Sequence, residues 1–581
     1  MSAPAFLAVE NSLGGRRWVG PDDALERRAG ALAQQAGLPL PVARILAERG
    51  VEAVEAPGFL APKLRDLLPD PATLRDMETA AARLVAASVA GERIAIFADY
   101  DVDGGASAAL LLDWLRARGQ SATLYVPDRI DEGYGPNAPA MEALARAHDL
   151  IICVDCGTLS HDALAAADGA DVIVLDHHLG GETLPPALAV VNPNRTDESG
   201  DLGHLCAAGV VFLTLVQAGR VLREKGLAQP DLMGMLDLVA LATIADVAPL
   251  VGVNRAFVRT GLSVMAARAR PGLVALSDIA RLDSAPNAFH LGFLIGPRVN
   301  AGGRVGRADL GARCLAATDP AEAARLAVEL DDLNRERRAI EAGVQEEALA
   351  QVEARGDGLL SWAAGEGWHP GVVGIVAARL KERTALPSVV IGIGGGVGKG
   401  SARSVPGVDL GRAVQRLAAE GLIEKGGGHR MAAGLTVAEA GIGAAMTRLS
   451  ELIARELGAR SSISDLRISG LLEPSAATPD LCALLDAAGP FGQAAPAPRF
   501  AFADMVLDSA ATMGDRHLRL RFRAPGGGSM DAVAWGAMDA RLGPALLGAR
   551  GRHFHFAGKL EQSSWNGRQR IRLRLDDAAE A

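Results

Sequence analysis

The sequence predicts an α/β protein: a parallel-sheet domain, a long linking helix, a second smaller α/β domain and a C-terminal OB-like β-barrel. Three patterns predict it. Apolar runs of strand length alternate with helical segments between Arg93 and Leu175, as parallel βαβ units require. A long charged stretch, PAEAARLAVELDDLNRERRAIEAGVQEEALAQVEAR, then reads as one helix, a spacer between domains. From about residue 462 short strands alternate apolar and polar residues, HLRLRFR among them, which suits a small barrel.

These patterns divide the chain into a helical N-terminal region (1–70), a parallel-sheet domain (71–310), a linker helix (311–355), a second α/β domain (356–460) and a barrel (461–581). The second α/β domain contains the strand LPSVVIGI and a Gly-rich turn, GGGVGKGSARS. With 581 residues, 49% apolar and 22% charged, the chain has room and composition for several packed domains. No run of about 18 apolar residues suggests a membrane span, and the N-terminus lacks a signal-peptide pattern. Five cysteines suit a reduced cytoplasm better than a disulfide framework.

A net charge of −10 argues against a protein that coats nucleic acid by charge alone. The charge is uneven, however. From Ala510 to Arg574 there are 12 Lys and Arg against 4 Asp and Glu, a balance of +8. An acidic body with a basic C-terminal module fits a carboxylate-rich core joined to a polyanion-binding domain.

The strongest signal is where the acids fall. The strand RIAIF runs through Ala98 into Asp99-Tyr100-Asp101-Val102-Asp103, LIICV runs into Asp155, and DVIVL runs into Asp176-His177-His178. The C-terminal edge of a parallel sheet is its ligand-binding edge. Carboxylates gathered there repel one another and raise their own pKa values. A divalent cation resolves the conflict, and oxygen ligands with one or two imidazoles suit Mn²⁺ or Mg²⁺. Any one of these acids alone reads as a turn or cap residue; three on successive strands do not. Asp246, in the apolar segment LVALATIADVAPL, is costly to bury without a partner. Taken alone it reads as readily as an N-cap or salt-bridged core residue as it does a ligand.

FADYDVDGGAS, CVDCGT, LDHH and TIADVAPL resemble the ordered motifs of the DHH phosphoesterase superfamily. GPRVNAGGRVGRADLG, WHPGVVGIVAARL, GSARS, KGGGHRMAAG and PFGQAAPAPRF narrow the resemblance to its RecJ branch of single-stranded-DNA exonucleases, DHH/DHHA1 proteins, from about residue 55 onward. The resemblance implies Asp101, Asp103, Asp155, His177 and Asp246 as ligands of two divalent cations. It implies His178 facing the scissile phosphate and Asp99 orienting ligands or water. Some superfamily members carry a histidine ligand where this chain has Phe97, so one metal is expected to be less fully ligated.

Arg298 and Arg304 flank Asn300, Ser401 and Arg403 lie in GKGSARS, and His429 closes GGGH. Arginine forks suit a terminal phosphate, and glycines let backbone N–H groups approach it. By resemblance Arg304, Ser401 and Arg403 hold a DNA 5′ phosphate, while His429 and His369 face the metals across a cleft. In the barrel Arg519, Arg521, Arg570 and Arg572 fall at period-2 spacing near Trp565, a pattern for tracking one strand by charge and stacking.

Two motifs are decoys. GGGVGKGS has Gly400 where a P-loop needs Ser or Thr. Cys153 and Cys156 straddle a strand end with Asp155 between them, and read as buried packing.

The implied activity is 5′→3′ hydrolysis of single-stranded DNA in repair and recombination. The resemblance also implies single-stranded DNA as the partner, with a single-strand-binding protein and a helicase as further expected partners, and a cytoplasmic monomer as the expected form. The alternatives are a phosphodiesterase for short oligonucleotides or cyclic dinucleotides, and a catalytically silent replication scaffold.

Overall fold

The computed structural model describes residues 4–129, 132–356, 358–457, 464–565 and 568–581. It divides into two compact units, Pro69–Ala248 with Phe257–Arg460, and Met1–Leu68 with Pro249–Ala256 and Ser461–Ala581.

In the larger unit five parallel strands run in the order Ala122–Tyr125, Ile94–Ala98, Leu150–Val154, Asp171–Leu175, Ala189–Val191. Every residue of Ile94–Ala98 and Leu150–Val154 is buried, as continuous apolar runs in a helix-covered sheet should be. From Ile94–Ala98 the chain adds its next strand on one side and the following one on the other. The crevice between Ile94–Ala98 and Leu150–Val154 is therefore the topological switch point, where open α/β sheets bind ligands. Asp99 and Asp155 follow these two strands.

The helix Pro320–Arg355 has 36 residues and spans about 54 Å. Beyond it lies a five-stranded mixed sheet, in the order Lys425–His429, Ala432–Ala438, Val397–Arg403, Ser388–Gly394, Ser361–Glu366. Only the last pair is parallel. The Gly-rich segment expected as a turn is mostly a strand. Only Gly395 and Gly396 turn, at positive φ, and Val397–Arg403 then pairs on both edges.

In the smaller unit the strands Phe500–Met513, His517–Arg523, Ser529–Ala534, Arg568–Glu580 and His553–Trp565 pair in sequence, and Phe500–Met513 also pairs with His553–Trp565. The sheet closes on itself as a five-stranded barrel around Phe500, Phe502, Phe522, Phe554 and Phe556. The helix Leu40–Glu48 adds Val42, Ile45 and Leu46 to that core. Arg16–Val19 pairs in parallel with Ser464–Arg467. The buried Asp577 accepts hydrogen bonds from Ser12 Oγ at 2.6 Å, Gly14 N at 3.0 Å and Trp18 Nε1 at 3.0 Å. Residues up to Leu68 thus belong to one compact unit with the barrel, and those between Leu32 and Leu60 enter its core. Among the described residues no helix is long and apolar enough to cross a membrane.

Candidate active site

The carboxylates meet at the switch point because each is delivered by an element end. Asp101 caps the helix Val102–Ala117, accepting from Asp103 N and Gly104 N. Gly104 is required there, since a Cβ would meet Asp99 O at 2.4 Å. Asp103 is fully buried, and its two oxygens accept from Ala207 N and Ala208 N at 2.7 and 2.8 Å, at the positive end of the helix Ala207–Glu224. Asp155 sits at φ 59°, an uncommon region for a residue with a side chain, and Tyr134 Oη donates to its carbonyl at 3.1 Å. Asp246 is the C-cap of Leu236–Ala245, so it is not the N-cap that the sequence left open.

His177 Nε2 lies 3.3 Å from Asp155, 3.7 Å from Asp103 and 3.8 Å from Asp246. Three ligand-spaced groups result: Asp155 with His177 and His178, Asp103 with His177 and Asp246, and Asp99 with Asp101 and Asp155. Burial and then their neighbours' negative charge push Asp99 and Asp155 well above the usual carboxylate range. Burial likewise raises Asp103, and it raises Asp246 to about 8. Asp99 Oδ1 and Asp155 Oδ1 are buried without a hydrogen-bond partner. Buried acceptors in that state cost free energy, and a cation would satisfy them. The donor set, oxygens with imidazole nitrogen, could hold Mn²⁺ or Mg²⁺.

His178 differs from His177. Its Nδ1 is 2.8 Å from Asp176 Oδ1. Asp176 Oδ2 accepts from Thr158 N and Oγ1. Burial pulls the His178 imidazole down, but the bond and charge of Asp176, with Asp246 and Asp103, outweigh it and push it up to about 9. Asn192 donates to His178 O and Asn194 to His177 O, so the turn Asn192-Pro193-Asn194 fixes both histidine backbones.

Beside this centre is a cavity of about 630 Å³ lined by Arg129, Arg304, Lys399, Ser401 and Arg403. Arg403 Nη1 donates to Ser401 Oγ at 3.0 Å. A Cβ at Gly374 would come within 3.1 Å of Ser401 Oγ and 3.2 Å of Arg403 Nη2, so the glycine keeps the pocket open. Burial, then Arg129 and Arg337, bring Arg304 down to about 10. A pocket in which arginines depress one another awaits an anion.

Four predicted residues fall differently. Arg298 is buried, donating to Asp331 and to Leu294 O, and is absent from the pocket; the ion pair with the linking helix takes its fork. Asn300 accepts from Val102 N at 3.0 Å, which ties it to the acidic loop. His369 caps the helix Pro370–Thr384, its Nδ1 accepting from Gly371 N. His429 is exposed at a strand end. Sequence reading missed Arg129, whose guanidinium lies 5.2 Å from the Tyr100 ring centroid, and Tyr134, whose hydroxyl touches His178. Both lie in a connection without periodicity; only the Asn-Pro-Asn turn carried a signal.

On the barrel Arg519 is exposed and has no partner among the described residues. Arg521 donates to Ser529 Oγ, and Arg572 pairs with Glu561 across the strands. Arg570 is exposed, and the side chain of Trp565 lies outside the described residues.

The chain matches the DHH family N-terminal domain over residues 93–243, the DHHA1 domain over 356–457 and the RecJ OB domain over 468–577. A single-stranded-DNA-specific exonuclease RecJ from Dickeya dadantii is 38% identical over 560 residues, covering 93% of this chain and 96% of that protein. The chain belongs to the RecJ family. Its relative from Escherichia coli is 37% identical over 563 residues, with the same coverage of both chains. The crystal structure of RecJ from Thermus thermophilus in complex with Mn²⁺ has a TM-score of 0.80 and 31% identity. It covers 97% of this chain and 79% of that one. A RecJ structure from the same organism holds Mg²⁺, with a TM-score of 0.74 and 30% identity over 97% and 78% of the two chains.

Proposed function

We propose that this chain is a 5′→3′ exonuclease that hydrolyses single-stranded DNA, acting in DNA repair and recombination. The observation that carries the reading is the pair of buried carboxylate oxygens of Asp99 and Asp155 that accept no hydrogen bond, beside a pocket of converging arginines. The first calls for a divalent cation and the second for a terminal phosphate.

Asp101, Asp103, Asp155, His177 and Asp246 would hold two cations, Mn²⁺ or Mg²⁺. When bound, such ions supply Lewis acidity and an activated water at neutral pH. The rest falls to the chain. Arg304, Ser401 and Arg403 grip the 5′ phosphate, and their fixed distance from the carboxylates selects the first internal phosphodiester. His178, oriented by its 2.8 Å contact with Asp176, faces a phosphate oxygen. Tyr134 and Thr158 hold Asp155 and Asp176 in place. Asp99 orients the attacking water. Arg519, Arg521, Arg570 and Arg572 of the barrel track the strand that has not yet been cut. Division of labour follows residues 71–310 for catalysis, 356–460 for the phosphate and 461–581 for the strand, with 311–355 linking the first two.

Single-stranded DNA is thus the partner, reached in the cytoplasm by a monomer working with a helicase and a single-strand-binding protein. The test is Mn²⁺ titration of the wild type and Asp155→Ala, followed by both strand hydrolysis and thermal unfolding. Loss of hydrolysis together with loss of the metal-dependent rise in Tm supports the reading. Normal Mn²⁺-dependent turnover in the variant sinks it.

A further inference from the structure

A second cavity, of about 510 Å³, lies on the other side of Arg304. The two cavities share Arg304, Ile375 and Arg379. The second is lined by Arg304, Arg337, Arg338 and Arg379 against one acid, Glu341. Arg337, Arg338 and Glu341 come from one face of the linking helix, and Arg379 from Pro370–Thr384.

The arginines are not all spent within the protein. Arg337 is 9% exposed and gives its Nη atoms to Glu341 and Asn334, but its Nε is buried with no partner. Arg338 is exposed without a partner among the described residues. Arg379 pairs with Glu382 at 3.0 Å and stands 3.8 Å from Glu341. With Arg379 balanced by Glu382, three guanidiniums against the one carboxylate of Glu341 leave a lining charge of +2.

The aromatic side is equally distinct. Phe293 lines the cavity and is 64% exposed. It stacks on Phe289, itself 54% exposed, with ring centroids 5.1 Å apart and planes 24° apart. A π-helical turn, His290–Ile295, carries Phe293, and Phe289 is its N-cap. Such turns recur at functional sites, and exposed aromatic faces stack nucleobases.

We infer that this cavity binds a free nucleoside 5′-monophosphate, the product of the hydrolysis. The inference rests on the exonuclease reading above. Charge favours a free nucleotide over a passing strand. A phosphate monoester carries about −1.5 to −2 at pH 7, whereas each diester in a strand carries a single charge. A lining charge of +2 matches the monoester, with Arg304 and Arg338 as its donors and Phe293 beneath its base. Arg304, common to both cavities, lets a released nucleotide shift from the first to the second without losing its guanidinium contact.

The test is equilibrium dialysis of the full chain with labelled dAMP, with inorganic phosphate as a second probe. Two dAMP per chain are expected. Arg338→Glu and Phe293→Ala each weaken one of them by about tenfold, and Phe293→Ala leaves inorganic phosphate unaffected. Initial rates on a 5′-phosphorylated strand, measured without added nucleotide, stay within about twofold of wild type in both variants. These rates also report separately whether the chain is an exonuclease at all. Unchanged dAMP binding in both variants overturns the proposal. So does a matching rise in KM for the strand, which would make the cavity part of the strand path.

Discussion

The metal centre and the barrel both concentrate one sign of charge, and they handle it in opposite ways. At the centre Asp99, Asp103 and Asp155 are buried against one another, and Asp99 Oδ1 and Asp155 Oδ1 have no hydrogen-bond partner. On the barrel most of the cations find neighbours: Arg523 pairs with Asp508, and Arg572 and Arg574 share Glu561. Surface pairs of this kind add little stability. The contrast teaches that burial, rather than charge count, identifies the group awaiting a ligand. A buried carboxylate left unpaired signals a cation, whereas an exposed arginine opposite an acid is already balanced.

The largest expected effect breaks the buried side of the comparison. Asp155→Ala should lower kcat on single-stranded DNA on the order of a thousandfold, while the affinity for the strand stays near that of the wild type by fluorescence anisotropy. Next is Asp577→Ala, a buried acid with a purely structural set of partners. It should cost about 3–5 kcal/mol of stability in urea unfolding, because Ser12, Gly14 and Trp18 lose their acceptor. A smaller effect is expected at the phosphate pocket. Arg304→Ala should raise KM for a 5′-phosphorylated strand about tenfold to a hundredfold and remove any preference over a 5′-hydroxyl strand. The smallest sharpens the exposed side. Arg519→Glu should weaken strand binding a few-fold and reduce the salt slope by about 0.7. Arg572→Gln, whose charge Glu561 already balances, should change both less; equal effects would erase the distinction between paired and unpaired arginines.

Much of the centre was legible in the sequence because each strand ends where its apolar run ends. Continuous burial dictates the runs, and the acids follow at once, so Asp99, Asp155 and Asp176 could be placed on one sheet edge without coordinates. The barrel was legible from period 2 alone. What the sequence hid depends on distant pairs. Arg298 meets Asp331 from 33 residues away, and no local pattern distinguishes an arginine so engaged from one free to hold phosphate. Arg129 and Tyr134 sit in an irregular connection, where periodicity says nothing about direction. The N-terminal region reads as helical, yet Arg16–Val19 pairs with Ser464–Arg467, a long-range register that hydrophobic patterning cannot specify. The pairings of Arg523 with Asp508 and of Arg572 with Glu561 were hidden because each acid lies on another strand.

The most direct test of the account uses single strands labelled at either the 5′ or the 3′ end, with Mn²⁺ and the intact chain. Release of the 5′ label as a mononucleotide at the earliest times, with the 3′ label persisting in shortening strands, is the predicted result. Early release of the 3′ label, or internal cuts without either end released, would contradict it.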